Sequence, residues 1–98
     1  MSVSAIQKTR LILLTHSKNM VNAAQSQDWE AFLPLEACWQ EMLEDAVARW
    51  GDQLREIGPS LLEDNRLIRE AIQAYQQDLT DSLSQNRYAH NALKKYLA

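Results

Sequence analysis

The sequence predicts an all-α protein: an antiparallel three-helix bundle with a long C-terminal helix, and with dimerisation through that helix left open. Three observations predict it. Only 2 Gly and 2 Pro occur in 98 residues, too few for the many tight turns of a sandwich or barrel. Apolar residues recur at helical spacing along nearly the whole chain. Capping residues stand ahead of the apolar runs, where a helix needs acceptors for its free amides.

The first helix is expected from Ser4 to about Ala24. Ser4 with Gln7 has the spacing of a capping box, in which each side chain satisfies the other residue's amide. Ile6, Leu13, Met20 and Ala24 then fall on one face, with Leu14 and Val21 at its edge and Leu11 nearly opposite. Gln25-Ser26-Gln27 interrupts the pattern and reads as a short turn.

Asp28 is a natural N-cap for a second helix, Trp29 to about Trp50, and Glu30 suits the positive end of its dipole. Phe32, Leu35, Trp39, Leu43, Ala46 and Trp50 form its apolar line, with Met42 beside them. Pro34 deletes one helical hydrogen bond, so a kink is expected near residues 30–34, on the solvent side. From Gly51 to Pro59 we expect a turn at Gly51, a short helical turn around Leu54 to Ile57, and a stop at Gly58.

Ser60 with Glu63 reads as a second capping box, opening the longest helix. Its stripe runs Leu61, Asn65, Ile68, Ile72, Tyr75, Leu79, Leu83, Asn86, His90, Leu93 and Leu97. Lys94 and Lys95 sit where cations suit the dipole. At about 38 residues, or roughly 57 Å, this helix outruns partners of roughly 32 Å after about residue 82. Apolar surface beyond a bundle needs a partner, a second copy or a fold-back. A binding role follows, with Leu83, Tyr88, Leu93, Tyr96 and Leu97 as contact residues and Leu67 as an outer-face candidate.

Composition bounds the rest. At this length one domain is expected, residues 1–98, and 46% hydrophobic residues suffice for its core. The net charge of −3, with 10 basic residues scattered among 13 acidic ones, lacks the basic patch that direct nucleic-acid binding requires. The longest apolar run, Leu11 to Leu14, is far short of the roughly 18 residues of a membrane span. We expect a soluble, cytoplasmic protein without a signal peptide or internal disulfide.

No chemistry-bearing constellation emerges, and no enzyme, cofactor or metal is expected. Glu36, Glu41, Glu44 and Asp45 lack the Glu-x-x-His partner of a bundle metal site and read as a solvated face, with Asp45 pairing Arg49. His16 and His90 read as structural or partner-contacting, since neither has ligand spacing to a cysteine. Cys38 has acidic neighbours, not the electropositive setting of a nucleophile, and reads as a small buried hydrophobe. Trp39 reads as core, Trp29 as cover for the inter-helix turn, and Trp50 as a residue within reach of a partner. Asn65 could fix helix register if buried; Asn86 reads as exposed.

Two segments carry a resemblance. Ala23-Ala24-Gln25-Ser26-Gln27-Asp28-Trp29-Glu30, followed by Phe32-Leu33 and Leu35-Glu36, resembles the start of the FliT family of flagellar export chaperones, and hook-junction chaperones share a weaker version. Leu61-Leu62-Glu63-Asp64-Asn65-Arg66-Leu67-Ile68, continuing to Lys94-Lys95-Tyr96, is similar to that family's long third helix. The resemblance implies a cytoplasmic chaperone that binds the C-terminal helix of the filament-cap protein and delivers it to the type III export gate and its ATPase. It also implies, in enteric members, binding and inhibition of the flagellar transcriptional activator, and a further C-terminal helix that masks the binding surface. Here the sequence stops at Ala98, near where such a helix would begin, and the Gly51 to Pro59 connection is shorter than the enteric pattern. The expectation is therefore a chain without that masking, or masked by self-association. The alternative is a homodimeric helical adaptor or structural protein, or a regulator of flagellar transcription by protein–protein binding.

Overall fold

A computed structural model describes the backbone of residues 4–97 and the side chains of residues 4–84. The order is α1 (Ala5–Gln25), α2 (Trp29–Trp50), a 3-10 segment η1 (Gly51–Ile57) and α3 (Gly58–Leu97). No strand occurs among the described residues.

Local chemistry explains each boundary. Ser4 and Gln7 form the expected capping box, each side chain accepting from the other's amide at 3.2 Å. At the other end, Gln27 takes a left-handed φ of 57°. Its N–H donates to the Ala24 carbonyl at 3.1 Å, and the Asp28 N–H donates to the Ala23 carbonyl at 2.8 Å. That pair of bonds is a Schellman closure, here built on Gln where Gly is the usual choice. Asp28 then caps α2, its carboxylate accepting from the Ala31 amide at 3.2 Å. One residue thus ends one helix and starts the next, which reverses the chain in three residues. Pro34 lies inside α2 but is exposed, so the lost bond faces water.

Gly51 leaves α2 with φ 55° and ψ −125°, a conformation that side chains resist. η1 follows and buries Leu54 and Ile57 against the first turns of α1. Arg10 holds it there, donating to the Gln53 carbonyl through Nη2 at 2.6 Å and Nε at 3.2 Å. Gly58 is no stop: it is right-handed helical and begins α3. Pro59 fits the first helical turn, where its missing N–H has no partner to lose. Ser60 is therefore already inside the helix, and Glu63 bonds Arg66 instead of closing a capping box.

The core has two halves joined by Trp39. Met20, Val21, Ala24, Phe32 and Ile68 fill the upper one; Leu13, Ala46, Leu54 and Ile57 fill the lower. These sets make α1 antiparallel to α2 and parallel to α3. The closed three-helix bundle expected from the pattern does not form. α1 packs closely on both neighbours, but among the described residues no Cα atom of α2 comes within 8 Å of α3. α1 is the spine, and a channel stays open between the outer helices.

Several residues sit differently from expectation. Cys38 is exposed, on the flank of α2 turned away from α3, where no helix covers it. The covered line of α3 keeps Leu61, Ile68, Ile72 and Tyr75 of the expected stripe, but Asp64 is fully buried where Asn65 was expected, and Asn65 is exposed. Leu67 is half-buried against the upper core and is not on the outer face. Asp45 and Arg49 do not pair; the Arg49 guanidinium lies 5.0 Å from the Trp50 ring centre.

The overhang also starts early. η1 occupies the first two turns of α1, so α3 accompanies only the remainder and passes the end of α1 near Ile72 and Tyr75. From Gln76 to Ser84 every side chain is exposed. Asn86, Tyr88, His90, Leu93, Lys94, Lys95, Tyr96 and Leu97 lie outside the described side chains.

Candidate functional site

Among the described residues, the open channel between α2 and α3 is a concave surface lined from both helices. Its deeper part holds about 220 Å³ and is lined by Met20, Phe32, Trp39, Leu61, Ile68 and Ile72, with Ser17, Glu36, Asn65 and Arg69 as polar members. Its outer part, about 340 Å³, is lined by Trp29, Phe32, Leu33, Glu36, Ile72, Tyr75, Gln76 and Leu79. The two parts share Phe32, Glu36 and Ile72, so they are one groove. On α3 it runs from Leu61 to Leu79, about five helical turns or roughly 27 Å. α1 supplies the floor.

Aromatic residues shape the outer end. The Trp29 ring meets Phe32 edge-on at 5.5 Å and Tyr75 at 4.9 Å. The Trp29–Tyr75 contact joins α2 to α3 at this end of the channel. The Trp29 indole N–H is buried without a hydrogen-bond partner, so the ring is held here by its apolar body. Leu33 is 60% exposed and Leu79 45% exposed on opposite lips. Large apolar side chains at that exposure, facing each other across a groove, form the patch that soluble proteins usually cover.

The floor is fixed by a polar clamp. Asp64 on α3 is fully buried, and accepts from Ser17 Oγ at 2.7 Å and Lys18 Nζ at 2.6 Å, both on α1. On the other side His16 stacks on Trp39 at 5.4 Å, nearly parallel. Its Nε2 lies 2.7 Å from the Leu35 carbonyl; a carbonyl only accepts, so that nitrogen carries the proton. His16 thus ties α1 to α2 as Asp64 ties α3 to α1.

Of the contact residues expected from sequence, Leu67 and Leu83 have described side chains, and neither is among the residues that line this groove. Leu83 is 58% exposed one turn beyond Leu79, on the same helix. Leu67 packs inward. Tyr88, Leu93, Tyr96 and Leu97 have no described side chains. The groove residues Trp29, Leu33, Glu36 and Ile72 are not among the contact residues expected from sequence, because a closed bundle would bury that seam. One signal was present: α2 carries a second apolar edge, Trp29 and Leu33, beside its main line through Phe32, Leu35 and Trp39.

Among the described residues no group of three or more His, Cys, Asp or Glu side chains is placed to hold a metal ion, and no helix is long and apolar enough to cross a membrane. Glu41, Glu44 and Asp45 are exposed along the outer side of α2.

No curated protein and no solved structure matches the chain. The family model described as flagellar protein FliT matches residues 11–98, a span that takes in both segments of the resemblance and the whole groove. An all-helical chain matched over that length belongs to the FliT family of flagellar export chaperones.

Proposed function

We propose that this chain is a cytoplasmic export chaperone that captures the C-terminal helix of the flagellar filament-cap protein and delivers it to the type III export apparatus. The observation that carries the reading is the uncovered apolar groove between α2 and α3. An amphipathic client helix laid on Phe32, Leu33, Ile72 and Leu79 would bury the seam that α2 and α3 leave apart. Shielding the client's apolar face prevents its premature assembly. The overhang extends the same surface: Leu83 continues the line, and Tyr88, Leu93, Tyr96 and Leu97 are the contact residues proposed beyond it. The export ATPase and the flagellar transcriptional activator are further partners on the family's pattern, bound as proteins and without direct nucleic-acid contact.

The mass in solution of the chain mixed with the C-terminal segment of the filament-cap protein tests this reading. A monomer that becomes a one-to-one complex is the expected result. The exposure of both Leu79 and Leu83 on the overhang favours one second reading, a homodimeric adaptor whose overhangs pair. An obligate dimer that takes up no client segment would establish that reading and remove the first.

A further inference from the structure

Polar residues in the groove are distributed unevenly between its walls. Glu36 is the acidic group on the α2 side, and it borders both parts of the channel. Across from it, α3 presents Arg69 in the deeper part. Both side chains are exposed, and among the described residues neither has an ion partner within 4 Å. Their neighbours are engaged: Arg66 pairs with Glu63 and Glu70, and Lys18 with Asp64. An apolar trough therefore carries a free negative charge on one wall and a free positive charge on the other.

That arrangement has a directional consequence. A helix lying in the groove with its apolar face down has two flanks, one against each wall. Reversing the helix end for end, with the same face down, exchanges the flanks between the walls. A client with a basic residue on one flank and an acidic residue on the other then meets like charges. We propose that Glu36 and Arg69 select the direction in which a client helix lies: its partner is an amphipathic helix with a basic flank against α2 and an acidic flank against α3. Apolar contact alone is blind to this choice, because it is non-directional. Opposed rim charges supply it, acting through orientation and association rate more than through affinity.

The proposal rests on the groove being the client site, and the test separates the two. The chain is compared with its doubly reversed variant, Glu36→Arg with Arg69→Glu; both positions are exposed, so the fold should survive, as thermal melting would show. Two probes are titrated at low salt: the C-terminal segment of the filament-cap protein, and the same segment with its basic and acidic flank residues interchanged. The expected result is a crossover. With a spin label at the segment's N-terminal end, the native segment broadens the resonances of one end of the groove, Leu61 or Leu79, in the unaltered chain and of the other end in the reversed chain, and the interchanged segment shows the opposite pattern. At about 0.5 M salt both ends broaden together. Broadening at the same end by both segments in both chains would overturn the proposal while leaving the groove as the site. Failure of the unaltered chain to bind either segment would overturn the groove reading and this proposal with it.

Discussion

Ser17 Oγ donates a 2.7 Å hydrogen bond to the carboxylate of Asp64, a residue with no exposed surface at all. The other oxygen of Asp64 takes Lys18 Nζ at 2.6 Å, and the Lys18 side chain is itself 59% exposed. A buried carboxylate is tolerable only with both oxygens satisfied. Because its two donors are adjacent on α1, Asp64 admits one register of α3 against the spine. That register places Ile68, Ile72 and Arg69 along the groove.

The clamp should respond asymmetrically to truncation. Lys18→Met leaves a buried anion with a single donor, and should cost about 2–4 kcal/mol although the lysine is largely exposed. Asp64→Ala releases a lysine that water can solvate and strands only the Ser17 hydroxyl, so about 1–3 kcal/mol is expected. Urea unfolding of both variants gives the order. Equal costs, or a harmless Lys18→Met, would show that Asp64 is held by other means.

The turns predict substitutions of opposite sign. Gln27 sits at φ 57° and Gly51 at φ 55°. Gln27→Gly relieves a left-handed side chain and should stabilise by about 0.5–1 kcal/mol. Gly51→Ala imposes the same kind of strain and should destabilise by about 1–2 kcal/mol, although a Cβ there meets nothing within 4 Å. Gly58 is right-handed and meets nothing beyond its chain neighbours, but it precedes Pro59, whose Cδ crowds a Cβ in that conformation, so Gly58→Ala should not stabilise and should cost up to about 1 kcal/mol. Thermal melts of the three variants check the signs.

Glu63 titrates low. Two hydrogen bonds from Arg66, at 3.0 and 2.5 Å, hold its carboxylate below the ordinary value of 4.5, and the charge of Arg66 adds to them. Because the folded state favours the ionised form, this contribution is present above about pH 4.5 and disappears as pH falls through the lowered value. NMR titration of Glu63 should show that depression, and Arg66→Gln should return the midpoint to the usual carboxylate range. An unchanged midpoint in the variant would remove Arg66 as the cause.

Two sets of substitutions apportion client binding between groove and overhang. Leu79→Asp places a charge on the exposed lip and should abolish capture with less than about 1 kcal/mol effect on folding. Leu93→Asp with Leu97→Asp should also leave the fold intact and abolish binding if the client runs the length of α3. Calorimetric titration of the client segment into each variant gives the answer. Binding retained by the double variant and lost by Leu79→Asp would confine the site to the groove.

Helix existence was legible because periodicity and caps agreed. Ile6, Leu13, Met20 and Ala24 repeat at helical spacing and Ser4 and Gln7 cap them, and the observed α1 follows both. The three-residue reversal was visible as polar residues ending at Asp28, though its Schellman closure on Gln27 was not, since glycine is the usual signal. What periodicity could not supply was the angle between outer helices. A stripe says which side of α3 is apolar but not how much of it α1 covers, and at one place on it the structure buries Asp64 and exposes Asn65. The same uncertainty hid the groove, which depends on α2 and α3 standing apart, while Cys38 lies on the opposite flank of α2, which no helix covers. Polarity misled most at Asp64, where an acidic residue that reads as solvent-facing is the most buried side chain described.

The most direct test of the groove is intermolecular NMR contact with an isotope-labelled C-terminal segment of the filament-cap protein. The account predicts cross-peaks from the client's methyl groups to Ile72, Leu79 and the rings of Phe32 and Trp29. Cross-peaks confined to Leu11 and Ile12, the exposed apolar pair on the far side of α1, would contradict it.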